Sequence, residues 1–240
     1  MPNAFGVQIR VVEVDVRSYA TDALVLKYAQ QSYGADGLVI AATGIRQAEL
    51  PAPGDHLMVR TPTGLPARRV VFLGVPDISG FGYREIREFG MRALTTVARL
   101  ENIREITVTL HGAGFGLDEH EAFDSEVAGI IDALRSGQVP AGLEYVTFAE
   151  ISQSRADRMR RKLRRLLPDS MHVDGGLGAR PNEMLAEHLR SVGYDSLIKR
   201  HAFVAMPFDG TLEDHYYYAI APAVRAAGLL CERMDEQNFT

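Results

Sequence analysis

Apolar residues along this chain fall into two kinds of run. Short β-branched stretches at 7–16, 23–27, 56–60, 69–75, 106–110 and 143–148 predict strands. Between them, apolar residues recur every three or four positions, the spacing of a helix with one buried face. Ile86, Phe89, Ala93, Val97 and Leu100 mark one such helix over 83–100. Phe123, Val127, Ile130, Ile131 and Leu134 mark a second, opened by Asp118 with Glu121 three residues on, the spacing of a capping box. Ala156, Met159, Leu163, Leu166 and Leu167 mark a third over 154–167. Strands alternating with helices predict an α/β fold.

Two of the turns between these elements are rich in glycine. Gly34-Ala35-Asp36-Gly37 follows the strand at 23–27 and opens a small-residue helix running to Thr43. Gly112-Ala113-Gly114-Phe115-Gly116 follows the strand at 106–110 and leads to the helix capped by Asp118. Strand, glycine loop and helix together bring backbone N–H groups close to a ligand at the positive end of a helix dipole, which suits a phosphate-sized anion. The same spacing also serves a tight βα turn that needs glycine for geometry alone.

The pattern breaks at 168–181, where Gly175, Gly176 and Gly178 cluster among few apolar residues, as in an interdomain linker. A short helix over 182–192, closed by Gly193, follows it. A new unit then begins with a strand at 201–208. Thr211 with Asp214 reads as a capping box, and an apolar stripe runs from Leu212 to Ala227, with Pro222 inside the helix and expected to kink it. A strand at 229–233 completes one β-α-β. Such a unit cannot close its own core and must pack on the first domain or continue into something longer.

Composition narrows the classes. The 240 residues are 46% hydrophobic and 24% charged, as in a globular protein able to bury a core. A net charge of −5 argues against nucleic acid as partner. Cys231 is the one cysteine and reads as a small buried apolar residue, so no internal disulfide forms. No signal-peptide pattern and no run of membrane-spanning length is present, so a cytoplasmic setting away from membranes is expected. The helix at 154–167 carries Arg155, Arg158, Arg160, Arg161, Lys162, Arg164 and Arg165. Without interleaved aromatic residues these read as a solvated face rather than a nucleic-acid patch. His111, Asp118, His120, Glu121 and Asp124 lie close in sequence but lack zinc-type spacing, and no metal is expected.

By Gly116 the order of elements resembles a macro domain, the three-layer α/β/α module with a mixed sheet that binds ADP-ribose. The resemblance covers roughly 5–167. Asp22-Ala23-Leu24-Val25 is similar to the family's "DAIV" strand, 34–37 to its first glycine loop, Leu65-Pro66-Ala67 before VVFLGV to its central strand, and 112–116 to the loop that wraps the diphosphate. The related N-terminal domain of leucyl aminopeptidases resembles this segment about as well. The resemblance implies ligand contacts from Asp22, Gly34, Asp36, Gly37, Gly112, Ala113, Gly114, Phe115 and Gly116, with Asp22 reaching adenine. One departure stands out: where adduct-hydrolysing macro domains carry asparagines, this chain has Lys27-Tyr28-Ala29-Gln30-Gln31, in which Gln30 or Gln31 is the nearest substitute.

Residues 202–240 resemble the opening of the nucleoside 2-deoxyribosyltransferase-like, TIR-related family, through FVAMPF, the tyrosine-rich helix with Ala-Pro-Ala, and Cys231-Glu232-Arg233-Met234-Asp235. That resemblance implies a pocket begun by Met206, Pro207, Phe208 and Asp209, and chemistry at N-glycosidic bonds through a carboxylate downstream. The expected organisation is a macro-like domain over 1–168, a linker with a short helix over 169–200, and an incomplete second α/β unit from 201 to 240. The expected function is a sensor or binding module for ADP-ribose, NAD or a related nucleotide, regulating an NAD- or nucleoside-cleaving effector, as in bacterial antiphage defence. An ADP-ribosyl hydrolase, and a ligand-free interaction domain, are the alternatives. No cofactor is required, and assembly into a homo-oligomer is compatible with the sequence.

Overall fold

The structure is a computed structural model of the chain, and it describes residues 6–60, 64–113, 115–167, 171, 183–207 and 210–233. Its centre is a six-stranded sheet in the order β1-β6-β5-β2-β4-β3. The strands are β1 (Gln8–Glu13), β2 (Ala23–Tyr28), β3 (His56–Arg60), β4 (Arg69–Gly74), β5 (Glu105–Val108) and β6 (Tyr145–Glu150). Every pairing is parallel except β3 with β4. β2 and β4 are buried on both faces, which is why they read as unbroken apolar runs rather than alternating ones.

Two cores lie either side of this sheet. On one face α2 (Tyr83–Thr95), α3 (Glu119–Ser136) and α4 (Gln153–Leu166) cover Val25, Val71, Ile106 and Val146. On the other α1 (Gly34–Thr43) covers Leu24, Leu26, Val70 and Phe72 through Val39 and Ile40. The three-layer α/β/α architecture with a mixed sheet is the one expected. α2 and α3 approach closely because each offers the other a glycine. A Cβ on Gly90 would lie 2.3 Å from the Glu126 carbonyl oxygen, and one on Gly129 only 1.9 Å from that of Arg87. Neither glycine stands out in the sequence, since both sit on ordinary helical stretches.

The stretch expected as a linker divides into two parts. Residues 168–181, with Gly175, Gly176 and Gly178, lie outside the described residues apart from buried Met171. The helix α5 (Glu183–Ser191) is firmly attached. Buried Arg87 of α2 donates to the Val192 carbonyl at 2.6 Å and pairs with Asp132, and His188 meets Asp124 at 2.6 Å. Ser196 and Lys199 both bond to Glu121.

The C-terminal β-α-β is present and packs on the first domain. β7 (His201–Phe203) and β8 (Leu230–Glu232) form a two-stranded parallel sheet. The helix between them begins at Glu213 with Leu212 as its cap, not with a Thr211–Asp214 box. It runs from α6 (Glu213–His215) through a π-helical stretch, Tyr216–Ile220, into α7 (Ala221–Ala226). Pro222 stands at the start of α7, so the wide turn precedes it: the proline has no N–H to give, and the backbone loosens its hydrogen bonding there. Leu230 of β8 packs with Ala29, Val75, Phe81 and Ala122 of the first domain.

Candidate functional site

In open sheets of this kind the crevice for a ligand opens at the carboxyl ends of the parallel strands, where neighbouring connections leave for opposite faces. Here that point lies between β2, whose connection leads to α1 on one face, and β5, whose connection leads to α3 on the other. The segment 34–37, expected as a loop but observed as the first turn of α1, and the glycine loop that follows β5 meet there. A cleft of about 360 Å³ opens between them, bounded by Gly34, Asp36, Gly112, Ala113 and Phe115, and extended past the ends of β1 and β6 by Asp15, Arg17, Glu150 and Arg155. The hollow beside the second loop is therefore space and not packed side chain.

Gly34 (φ 46°) and Gly112 (φ 83°) both take left-handed backbone conformations that L side chains rarely adopt. A Cβ on Gly112 would also press on Ile86 and Leu117 at under 3 Å. Gly37 does not border the cleft. It lets α1 close on the Ser32 backbone, 3.2 Å from where a Cβ would stand. Gly116 turns the chain (φ 89°) outside the cleft lining, and Gly114 lies outside the described residues.

Asp22 is a correction. It sits at the amino end of β2, about 20 Å of extended chain from the glycine loops. Its carboxylate accepts from the backbone N–H of Arg104 and Glu105 and pairs with Arg68. Asp15 borders the cleft instead, beside Asp36 and Glu150; it caps a short 3-10 turn by accepting from Arg17 N and pairs with the Arg17 guanidinium. Asp15 follows the apolar run of β1 and Asp22 precedes that of β2, so with both strands pointing the same way across the sheet the two aspartates stand at opposite ends.

The floor of the cleft is ionic. Lys27 breaks the apolar run of β2, and its buried ammonium pairs with Asp36 on the first turn of α1. The second oxygen of Asp36, Oδ1, is buried without a hydrogen-bond partner, 3.9 Å from His111 Nε2. The other ring nitrogen of His111 lies 3.3 Å from Glu126 on α3. Burial alone would raise the Asp36 carboxyl, but Lys27 and His111 outweigh it and hold Asp36 below its ordinary range. For His111 burial opposes the charged form, yet Glu126 and Asp36 carry its pKa upward. Glu126, fully buried, is pushed up by desolvation. Phe115 stacks edge-on against Tyr33, 5.7 Å between ring centres, with the Lys27 ammonium 5.7 Å from its ring. A smaller cavity of about 180 Å³, bounded by Lys27, Phe81 and Leu117, lies on the far side of Phe115.

The glutamines do not enter the cleft. Gln30, itself at φ 60°, donates its amide to the Val75 carbonyl at 3.0 Å, and Gln31 accepts from Tyr33. Neither supplies the positioning amide that the resemblance would need. The sequence signal for the ionic floor was Lys27 itself, a cation inside a strand otherwise buried on both faces.

The acidic and basic clusters are spent on each other. Asp118 pairs with Arg225, Glu121 with Lys199, and Asp124 with Lys162 and His188. Among the described residues no group of three or more such side chains is arranged to hold a metal. The face of α4 expected to be solvated is largely engaged: Arg155 and Arg158 pair with Glu119, and Arg158 stacks 3.6 Å from the ring centre of Tyr217. Met206 packs with Tyr216 and Cys231, while Phe208 and Asp209 lie outside the described residues.

No protein-family model and no curated protein sequence matches the chain. Solved structures do. The macrodomain of Oceanobacillus iheyensis with ADP aligns at 18% identity and a TM-score of 0.53, covering 69% of this chain and 95% of that one. The chain has the macrodomain fold. A mutant of that Oceanobacillus protein with ADPR aligns at 17% identity and a TM-score of 0.52, over 69% of this chain and 97% of the other. The Trypanosoma brucei macrodomain in complex with ADP-ribose aligns at 17% and 0.50, over 64% of this chain and 68% of that one. No helix among the described residues of this macrodomain-fold chain is long and apolar enough to cross a membrane.

Proposed function

We propose that the cleft binds a nucleotide of the ADP-ribose type and that the C-terminal β-α-β unit senses whether the cleft is filled. The observation that carries the reading is the position of Asp118. It ends the glycine loop that borders the cleft and is tied to the C-terminal unit by three groups at once. Its carboxylate accepts from Arg225 Nε at 2.8 Å and from Cys231 N at 2.9 Å, while its own N–H donates to the Tyr83 hydroxyl, which in turn donates to Glu232 at 2.6 Å. A loop that shifts around a ligand therefore shifts the anchor of β8. Backbone N–H groups of the first turn of α1 and of the glycine loop after β5 would meet the diphosphate. Solved structures of this fold that hold ADP and ADP-ribose support the choice of ligand. The downstream half of the proposal, an NAD- or nucleoside-cleaving effector regulated in this way in antiphage defence, draws support from the resemblance of 202–240 and from the parallel β7-β8 pairing.

Hydrolysis of an ADP-ribosyl bond is the second reading. One observation favours it: the Asp36 carboxylate borders the cleft floor and keeps one oxygen, the buried Oδ1, without a hydrogen-bond partner. Calorimetry with ADP-ribose, NAD and ADP tests the binding step. Heat with ADP-ribose, lost in Gly112→Val, is the expected result. No heat with any of the three would overturn the proposal and leave a scaffold that keeps the fold without a ligand. Release of ADP-ribose from a modified protein, lost in Asp36→Asn with binding retained, would move the assignment to the hydrolase.

A further inference from the structure

We propose a second anion site at the opposite pole of the sheet, built for a short polyphosphate chain. β3, β4, β2 and β5 are neighbours in that order, and their ends at this pole carry Arg60, Arg69 with Arg68, Asp22, and Arg104. Three inter-strand steps of about 4.8 Å make a row about 14 Å long. The row borders an open concavity of about 730 Å³, roughly twice the nucleotide cleft and of a size that small-molecule sites use.

The charges along the row do not balance. Arg68 pairs with Asp22 at 3.1 Å and Arg104 with Glu144 at 2.8 Å. Arg60 and Arg69 face each other directly across the antiparallel pair, and neither has an ion-pair partner among the described residues. Like charges placed opposite each other on paired strands destabilise the sheet. Here they stand in a chain whose net charge is −5, so the local excess is not a reflection of the whole surface. Guanidinium groups bind phosphate oxygens through paired N–H donors. A row of them, two held in place by carboxylates and two uncommitted, suits several linked phosphates better than one. Among the described residues no aromatic side chain borders the concavity, so bases would find no stacking platform there, which favours a small polyphosphate over a nucleic-acid strand.

Calorimetry of the full chain with inorganic tripolyphosphate, in buffer already saturated with ADP-ribose, tests this. Binding that persists under saturation, weakens as salt rises and falls at least ten-fold in Arg60→Ser/Arg69→Ser is the expected result. Where the wild type binds ADP-ribose, that variant should bind it equally, which separates this site from the cleft; where it does not, the loss of tripolyphosphate binding in the variant still reads this site by itself. No heat with tripolyphosphate, or equal affinity in the double variant, would overturn the site. Tighter binding of a single-stranded oligonucleotide than of tripolyphosphate would overturn the assignment to a small ligand.

Discussion

Replacing Asp118 by Ala removes several interactions at one buried point. Asp118 is 1% exposed, and its carboxylate accepts from His120 N and Glu121 N as the cap of α3, from Arg225 and from Cys231 N. Loss of a helix cap costs about 1 kcal/mol. Removing one partner of a buried ion pair costs about 3–5 kcal/mol where both groups are enclosed. Arg225 is partly exposed and reaches water once freed, so about 2 kcal/mol is the better figure for that pair. The lost Cys231 N–H bond adds about 1 kcal/mol, so about 3 kcal/mol from the Arg225 and Cys231 contacts is felt as undocking of the C-terminal unit, while the loss of the cap weakens α3 whether or not that unit is docked. Cys231 is the only cysteine and is fully buried beside Asp118, so a thiol reagent reports that undocking directly. A change of about 3 kcal/mol in opening corresponds to roughly a hundred-fold faster labelling. Asp118→Asn, which keeps a cap acceptor, should fall between Asp118→Ala and wild type. If ADP-ribose binds as proposed, saturating it should slow wild-type labelling and have less effect in Asp118→Ala. Equal labelling rates in wild type and Asp118→Ala would refute the reasoning.

Three further outcomes are expected. Lys27→Met should destabilise the fold by about 3–5 kcal/mol by leaving Asp36 charged and unpaired, and adding Asp36→Asn should restore most of the loss in urea unfolding; an unrecovered double variant would show that packing, not charge, is at stake. His111 and Glu126 both hold protons more tightly in the fold than in the open chain, so their contribution is complete at low pH and is lost as pH rises through their folded values. Unfolding free energy measured across the neutral range should therefore decline with rising pH, and His111→Gln/Glu126→Gln should flatten that decline. Gly129→Ala should separate α2 from α3 and lower the melting temperature by more than any surface alanine change, because the new carbon meets backbone rather than a movable side chain.

Much of the fold was legible in the chain. Apolar runs and their period placed β2, β4, α3 and α4 within a few residues of their observed ends, because burial on one face or both imposes that pattern directly, and the small-residue stretch to Thr43 placed α1. The glycine loop after β5 was legible as a loop for a similar reason: a positive φ restricts the residue type locally; residues 34–37, expected as a loop, instead form the first turn of α1, opened by Gly34 at positive φ. What sequence could not give was which residues share an end of the sheet. Asp22 and Asp15 are seven positions apart, yet one lies at the arginine-rich pole and the other at the cleft. The ion pairs joining Lys27 to Asp36, His111 to Glu126 and Asp118 to Arg225 were equally out of reach, since a charge in the chain looks the same whether water or another charge will surround it. Local backbone preference and hydrophobic period are properties of short stretches, so the sequence alone determined the elements and the glycine turns. The cleft, its ionic floor and the anchoring of β8 depend on distances between residues far apart along the chain, and only the tertiary packing decided those.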